Sequence, residues 1–239
     1  MKEVRFFYVP DAKTTDELPE EEAMHALRVL RLKSGDEIML TDGDGFFYRA
    51  EISVAAARKC MYRLLETLPQ QPLWHGRLHL VVSPTKMMDR MEWMMEKATE
   101  IGIDRISFID CDNSERRVIK VKRLEKIVVS AVKQSRKAWM PVIDEIVSFD
   151  EFMRGKNDGL KFIAHCYDEI PKSDLFADLS SADKNEDVTI MIGPEGDFSI
   201  EEVKNAIEAG FESVSLGESR LRTETAALAA VMMANLCKR

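Results

Sequence analysis

The chain has 239 residues, 45% of them hydrophobic and 32% charged, with a formal net charge of −8. That length holds one large domain or two modest ones. No window approaches the run of about 20 apolar residues that a transmembrane helix needs, and Met1–Thr15 has no apolar core, so no signal peptide is expected.

Cys60, Cys111, Cys166 and Cys237 are far apart and form no CxxC pair, and His25, His75, His79 and His165 are scattered. Neither a disulfide framework nor a metal site is expected, and a reducing cytoplasm fits.

The first part reads as short strands and turns. Segments 5–10 and 36–54 are rich in aromatic and β-branched residues, and Asp42-Gly43-Asp44-Gly45 inside the second signals a hairpin. Segment 59–69 adds a strand, and 19–35 reads as a helix leading into a strand. Together they predict a small β-barrel over residues 1–70, followed by a Pro-containing linker at 71–76.

From residue 77 the pattern alternates between strand and helix. Segments 77–83, 105–110, 160–166, 187–193 and 213–217 are apolar strands. Asp89 and Glu92 predict a capping box for a helix ended by Gly102, with Met91, Met94, Met95, Ala98 and Ile101 on its inner face. Segment 122–138 is an amphipathic helix. Ser199 and Glu202 predict a second capping box at the head of 199–210. The last helix, 223–237, is apolar nearly all round and must be buried on most sides. The fold class is therefore α/β, a mostly parallel sheet with helices on both faces over 77–239.

Charge is unevenly spread. Between Glu115 and Lys137 there are nine basic residues and two acids, so this segment carries +7 and the rest of the chain −15. Such a face suits a phosphate backbone, or it is a solvated helix surface.

Two strand ends carry glycine, at Gly193-Pro194-Glu195-Gly196 and Leu216-Gly217. Ligands bind at the carboxyl ends of parallel strands. There is neither GxGxxG nor GxxxxGKS, so a nucleotide phosphate is not indicated. Bare backbone there suits a flat ligand such as adenosine, or simply a tight turn.

The pair "IGPEGDFSIEEV" and "LGESRLRTETAALAA" resembles the C-terminal signature of the SPOUT methyltransferases. More narrowly, it is similar to the ribosomal RNA small subunit methyltransferase E family, which makes N3-methyluridine in 16S rRNA. "HALRVLRLKSGDEIMLTDGDG" resembles that family's PUA-like barrel, and "KMMDRMEWMMEKATEIGIDRI" its first catalytic-domain helix and strand. The resemblance implies a PUA-like β-barrel followed by a knotted SPOUT (α/β trefoil knot) domain, and a homodimer built on the last helix. It implies S-adenosylmethionine as cofactor, held by His165, Ile192, Gly193, Glu195 and Gly196, and by Leu216, Gly217, Leu221, Arg222, Thr223 and Ala226. On the RNA side it implies Lys86, Arg116, Arg117, Arg123, Lys126 and Arg136. Two departures stand out. The family commonly has Gly-Gly-Phe where this chain has Gly196-Asp197-Phe198, and Arg-Ile where it has Ser219-Arg220.

The implied reaction needs no metal, because a sulfonium already makes its methyl group electrophilic. The uracil N3 must lose a proton, and a positioned guanidinium would stabilise the anion spread over O2, N3 and O4. Arg222 is the first catalytic candidate. Glu224 is a second, as a base, or else it caps the last helix or holds an arginine. A SPOUT enzyme acting on a tRNA base or ribose, and a non-catalytic RNA-binding assembly factor, remain as alternatives.

Overall fold

The computed structural model describes residues 4–56, 59–156 and 158–239. Residues up to Pro72 pack with Val129–Met140 as one unit, and Leu73–Val128 packs with Pro141–Arg239 as a second.

The first unit contains β1 (Phe6–Tyr8), α1 (Glu20–Met24) running into a π-helical turn at His25–Val29, β2 (Glu37–Thr41), β3 (Phe46–Ala55) and β4 (Cys60–Pro69). They form a four-stranded sheet in the order β1-β2-β3-β4, with β1 parallel to β2 and the rest antiparallel. No pairing between β1 and β4 closes it into a barrel among the described residues. Asp42 builds the β2–β3 hairpin. Its Oδ1 accepts the Asp44 amide at 2.8 Å and the Phe46 amide at 3.2 Å, and its Oδ2 accepts the Tyr48 hydroxyl at 2.7 Å. Phe7, Ile38, Leu40, Tyr48 and Ile52 are fully buried beneath this sheet. Segment 138–140 belongs here because it pairs with that hairpin. The Gly45 amide donates to Ala138 O, and the Met140 amide to Gly43 O, both at 2.9 Å.

The second unit begins with β5 (Leu78–Val82), α2 (Met88–Ile101) and β6 (Arg105–Asp110). Then come α3 (Val121–Ser135), whose later half lies with the first unit, β7 (Val142–Ser148), α4 (Phe149–Arg154) and β8 (Leu160–Ala164). The chain continues through β9 (Ser173–Asp174), α5 (Leu175–Ser181), β10 (Val188–Ile192), α6 (Ile200–Glu208), β11 (Glu212–Ser215) and α7 (Thr223–Cys237). The seven strands form one sheet in the order β7-β6-β5-β10-β8-β11-β9, and every pairing in it is parallel. All five residues of β10 are buried, as in a central strand covered on both faces.

The two capping boxes end differently. Ser199 and Glu202 form theirs completely. Asp89 and Glu92 do not: the N-cap is Met87, with no side-chain cap bond, and Asp89 sits in the first turn. The Glu92 carboxylate pairs instead with Arg123. β7, α4 and α5 were not anticipated at all. α7 packs on α2, α5, β5 and β10, yet it leaves Met232 at 41% and Leu236 at 51% exposure.

Candidate functional site

β10, β8 and β11 lie side by side, so the loops leaving their carboxyl ends converge. Together they wall a cleft of about 880 Å³, lined by selected residues within 164–172, 192–197 and 214–226 and by Arg90 of α2. Of the residues expected to hold the cofactor, His165, Ile192, Gly193, Glu195, Leu216, Gly217, Leu221, Arg222, Thr223 and Ala226 all line this cleft.

Gly196 does not. A Cβ there would sit 3.0 Å from the Asn113 Cβ, so this glycine leaves room for a neighbouring loop. Gly193 is bare because its Cβ would meet the Phe198 ring at 3.0 Å. Gly217 is the one that faces open space. Its φ is +113°, and nothing lies within 4 Å of where its Cβ would be.

Asp197 occupies the position where the resembled family commonly has a second glycine. It adopts φ +65°, a region where Asp is tolerated because its short side chain can bond nearby amides. Its Oδ1 accepts the Phe198 amide and its Oδ2 the Cys166 amide, both at 2.8 Å. The substitution thereby fastens the loop after β8 to the turn after β10.

Glu195 has a similar fastening role, since its Oε1 accepts the Lys86 amide at 2.9 Å. His165 is 7% exposed. Its Nδ1 lies 3.3 Å from the Tyr167 amide and its Nε2 3.1 Å from Ser213 Oγ. Accepting at Nδ1 leaves the proton on Nε2. Burial, then the nearby Lys172 charge, lowers the His165 pKa, so the ring is neutral at pH 7. Burial and Asp197 raise the Cys166 pKa, which keeps this thiol protonated and unreactive.

Arg222 is the N-cap residue of α7 and makes no side-chain cap bond. Its guanidinium has no hydrogen-bond or ion-pair partner among the described residues, and Arg222 lines the cleft. Glu224 is 6% exposed and is not among the lining residues. Its Oε1 lies 3.7 Å from Arg90 Nε. Of the roles open to it, holding an arginine is the one this geometry supports. Arg90 itself was not anticipated, because the sequence around it carries no signal distinct from an ordinary helix start.

Much of the basic segment is already paired. Arg116 donates to Lys86 O at 2.6 Å and to Thr85 O at 3.1 Å. Arg117 bonds Asp110 at 2.7 Å, and Arg123 pairs with Glu92. The Lys86 ammonium pairs with Glu115 at 2.8 Å. Arg136 lies in the first unit, its guanidinium 5.7 Å from the Phe6 ring centroid. Lys122 and Lys126 are exposed on α3. No group of three or more His, Cys, Asp or Glu is placed to hold a metal ion among the described residues, and no helix there is long and apolar enough to cross a membrane.

Comparison with known proteins assigns the chain. Residues 72–235 match the RNA methyltransferase domain family, and residues 18–60 match the RNA methyltransferase PUA domain. The ribosomal RNA small subunit methyltransferase E of Rickettsia conorii is 31% identical over 222 residues, covering 92% of this chain and 89% of that protein. The chain belongs to the ribosomal RNA small subunit methyltransferase E family. Solved structures of similar proteins agree in fold with this member. A probable rRNA-methyltransferase from Porphyromonas gingivalis is 42% identical and overlays with a TM-score of 0.90, covering 98% of both chains. The ribosomal RNA small subunit methyltransferase E of Neisseria gonorrhoeae, bound to S-adenosyl methionine, is 28% identical with a TM-score of 0.83, covering 96% of this chain and 95% of that one.

Proposed function

We propose that this chain transfers a methyl group from S-adenosylmethionine to N3 of a specific uridine in 16S rRNA. The observation that carries this reading is the cleft at the ends of β8, β10 and β11, in a fold shared with a relative that binds S-adenosyl methionine. The residues fit that donor. Ile192, Leu216, Leu221 and Ala226 offer apolar surface to an adenosine, and bare Gly217 leaves it room.

The donor supplies an electrophilic methyl group on a sulfonium that leaves as a neutral thioether. The rest is the work of this chain's side chains. N3 lies on the Watson–Crick edge, so the target base must be unpaired or extruded to reach the cleft. Arg222, exposed at the head of α7 and lining the cleft, would stabilise the negative charge on O2 or O4 as the N3 proton passes to solvent water. Neutral His165 and protonated Cys166 line the same cleft without adding charge to it. The division proposed is a PUA-like RNA-binding region at 1–70, a linker at 71–76 and the catalytic region at 77–239, its C-terminal part knotted. A ribosomal substrate puts the reaction in the cytoplasm.

Nucleoside mass spectrometry of rRNA from cells with and without the protein tests this reading. N3-methyluridine is expected to vanish from 16S rRNA and to return on complementation. Loss of a different methylated nucleoside would reassign the substrate, and an unchanged profile would leave an RNA-binding role without catalysis.

RNA contact is expected to fall to the exposed cations of α3. Replacing Lys122 and Lys126 together by Glu should weaken binding of a 16S fragment and reduce the salt slope by about 1 to 2. Cofactor affinity should hold. Fluorescence anisotropy across a salt series reads both; an unaltered affinity and slope would make this face merely solvated.

Met232 and Leu236 of α7 and Phe176 of α5 are all exposed, and α5 packs on α7. Apolar surface of this kind supports a homodimer through α7. Sedimentation should give a dimer, and Met232→Glu with Leu236→Glu should give a monomer of much lower activity. A fully active monomeric wild type would remove the dimer from the mechanism.

A further inference from the structure

We propose that Arg90 pairs with the α-carboxylate of the methyl donor, and that Glu224 is the positioning residue that aims it. The inference rests on the S-adenosylmethionine reading above and adds a ligand contact to it.

Arg90 stands in the first turn of α2, lines the cleft, and its side chain is 36% exposed. Its Nε lies 3.7 Å from Glu224 Oε1, an ion-pair distance too long for a hydrogen bond. A guanidinium has five N–H donors, and no protein acceptor takes a side-chain hydrogen bond from this one among the described residues. Glu224 is the reverse case. It is 6% exposed, and its Oε2 is buried with no hydrogen-bond partner. A buried carboxylate left half-satisfied is costly. Its position in the first turn of α7 offsets part of that cost through the helix dipole. Replacement by an apolar residue would serve stability better. What the acid provides is a fixed direction for a cation at the edge of the cleft.

The donor's chemistry selects the partner of that cation. Adenosine is neutral, and the sulfonium and α-ammonium are positive, so the α-carboxylate is its one anionic group. Arg220 and Arg222 also line the cleft, but no ion pair to a protein carboxylate orients either of them among the described residues. Arg90 alone combines an open guanidinium, a 14-residue helix beneath it and a buried acid behind it. That acid weakens its pull on a distant polyanion but not its short-range, forked recognition of a carboxylate. Glu224 thus acts through Arg90, and it does not touch the ligand.

Calorimetry with S-adenosylmethionine and with decarboxylated S-adenosylmethionine tests the assignment, since the two ligands differ only in the carboxylate. Wild type should bind the first more tightly. Arg90→Ala should lower S-adenosylmethionine affinity by roughly 10–100-fold, the loss typical of a charge-assisted bond, and leave the decarboxylated ligand unaffected. Arg90→Lys should recover part of the loss, and Glu224→Gln should lie between it and wild type. The double variant Arg90→Ala/Glu224→Gln, which strands no buried charge, should show the same ligand pattern and so guards against misfolding. Equal loss for both ligands, or no loss for either, overturns the proposal. A folded wild type that binds neither ligand overturns the methyl-donor reading, and this assignment with it.

Discussion

Arg222→Ala is expected to lower kcat for methyl transfer by roughly 10²–10³, as removal of one oxyanion donor typically does. The reason lies in timing. Uracil is neutral in the ground state, so a guanidinium near O2 or O4 gains most of its interaction as N3 loses its proton, and only interactions that strengthen in the transition state raise kcat. Arg222 suits this task because the N-cap geometry of α7 fixes its backbone, with Arg222 O accepting the Ala226 amide at 2.8 Å. Affinity for RNA should fall much less, since that contact is proposed to rest on surface cations of α3. Arg222→Lys should recover only part of the rate, because an ammonium lacks the planar fork. Single-turnover methylation with saturating donor and RNA separates these effects. A wild-type rate in Arg222→Ala would move the anion-stabilising role to Arg220, the other exposed guanidinium on the same loop.

Gly217→Val is expected to abolish detectable S-adenosylmethionine binding while leaving the protein folded. Two effects act together. At φ +113° a β-branched residue is strained, costing on the order of 1–3 kcal/mol locally. The new side chain also meets no protein atom at its Cβ and so grows into the space the ligand needs. The turn that holds this glycine is otherwise intact, closed by Ser215 Oγ, which accepts the Gly217 amide and donates to Gly217 O, both at 3.1 Å. Gly193→Val is the informative contrast. Its Cβ would press on buried Phe198, so that variant should lose thermal stability first. Circular dichroism and calorimetry on both variants check the distinction, and a folded Gly217→Val with wild-type affinity would sink the proposed adenosine position.

The outline of the cleft was legible because its glycines and its cap are local signals. Ser199 and Glu202 bond each other's backbone within one turn, and sequence spacing is enough to see it. Asp89 and Glu92 have the same spacing and fail, because the helix begins before Asp89, at Met88, and the Glu92 carboxylate pairs with a distant residue, Arg123. Gly196 was read as part of the cofactor wall for the same reason that Gly193 was. Only the fold reveals that Asn113 fills the space beside it. β7 escaped notice because it is an edge strand, half-exposed along its length, without clean alternation. Arg90 was invisible for a different reason. Its meaning depends on Glu224, far away in sequence, and no period or propensity links the two. The charge of the basic segment has the same limit, since spacing does not reveal that Arg116, Arg117 and Arg123 bond nearby carbonyls and carboxylates.

β10 lies between β5 and β8 and pairs with both. A chain emerging from the ribosome completes β5, β6, β7 and β8 before residues 188–192 exist. Until then β5 and β8 each carry an apolar edge with no partner, which is the surface that invites mispairing or capture by a chaperone. α7 follows later still, and it then covers β5 and β10. The cleft lies between those two events, so a nascent or truncated chain has no partial version of it. Biosynthesis of this protein is therefore all-or-nothing with respect to ligand capture, and its period of greatest vulnerability ends only when residues 188–239 have docked.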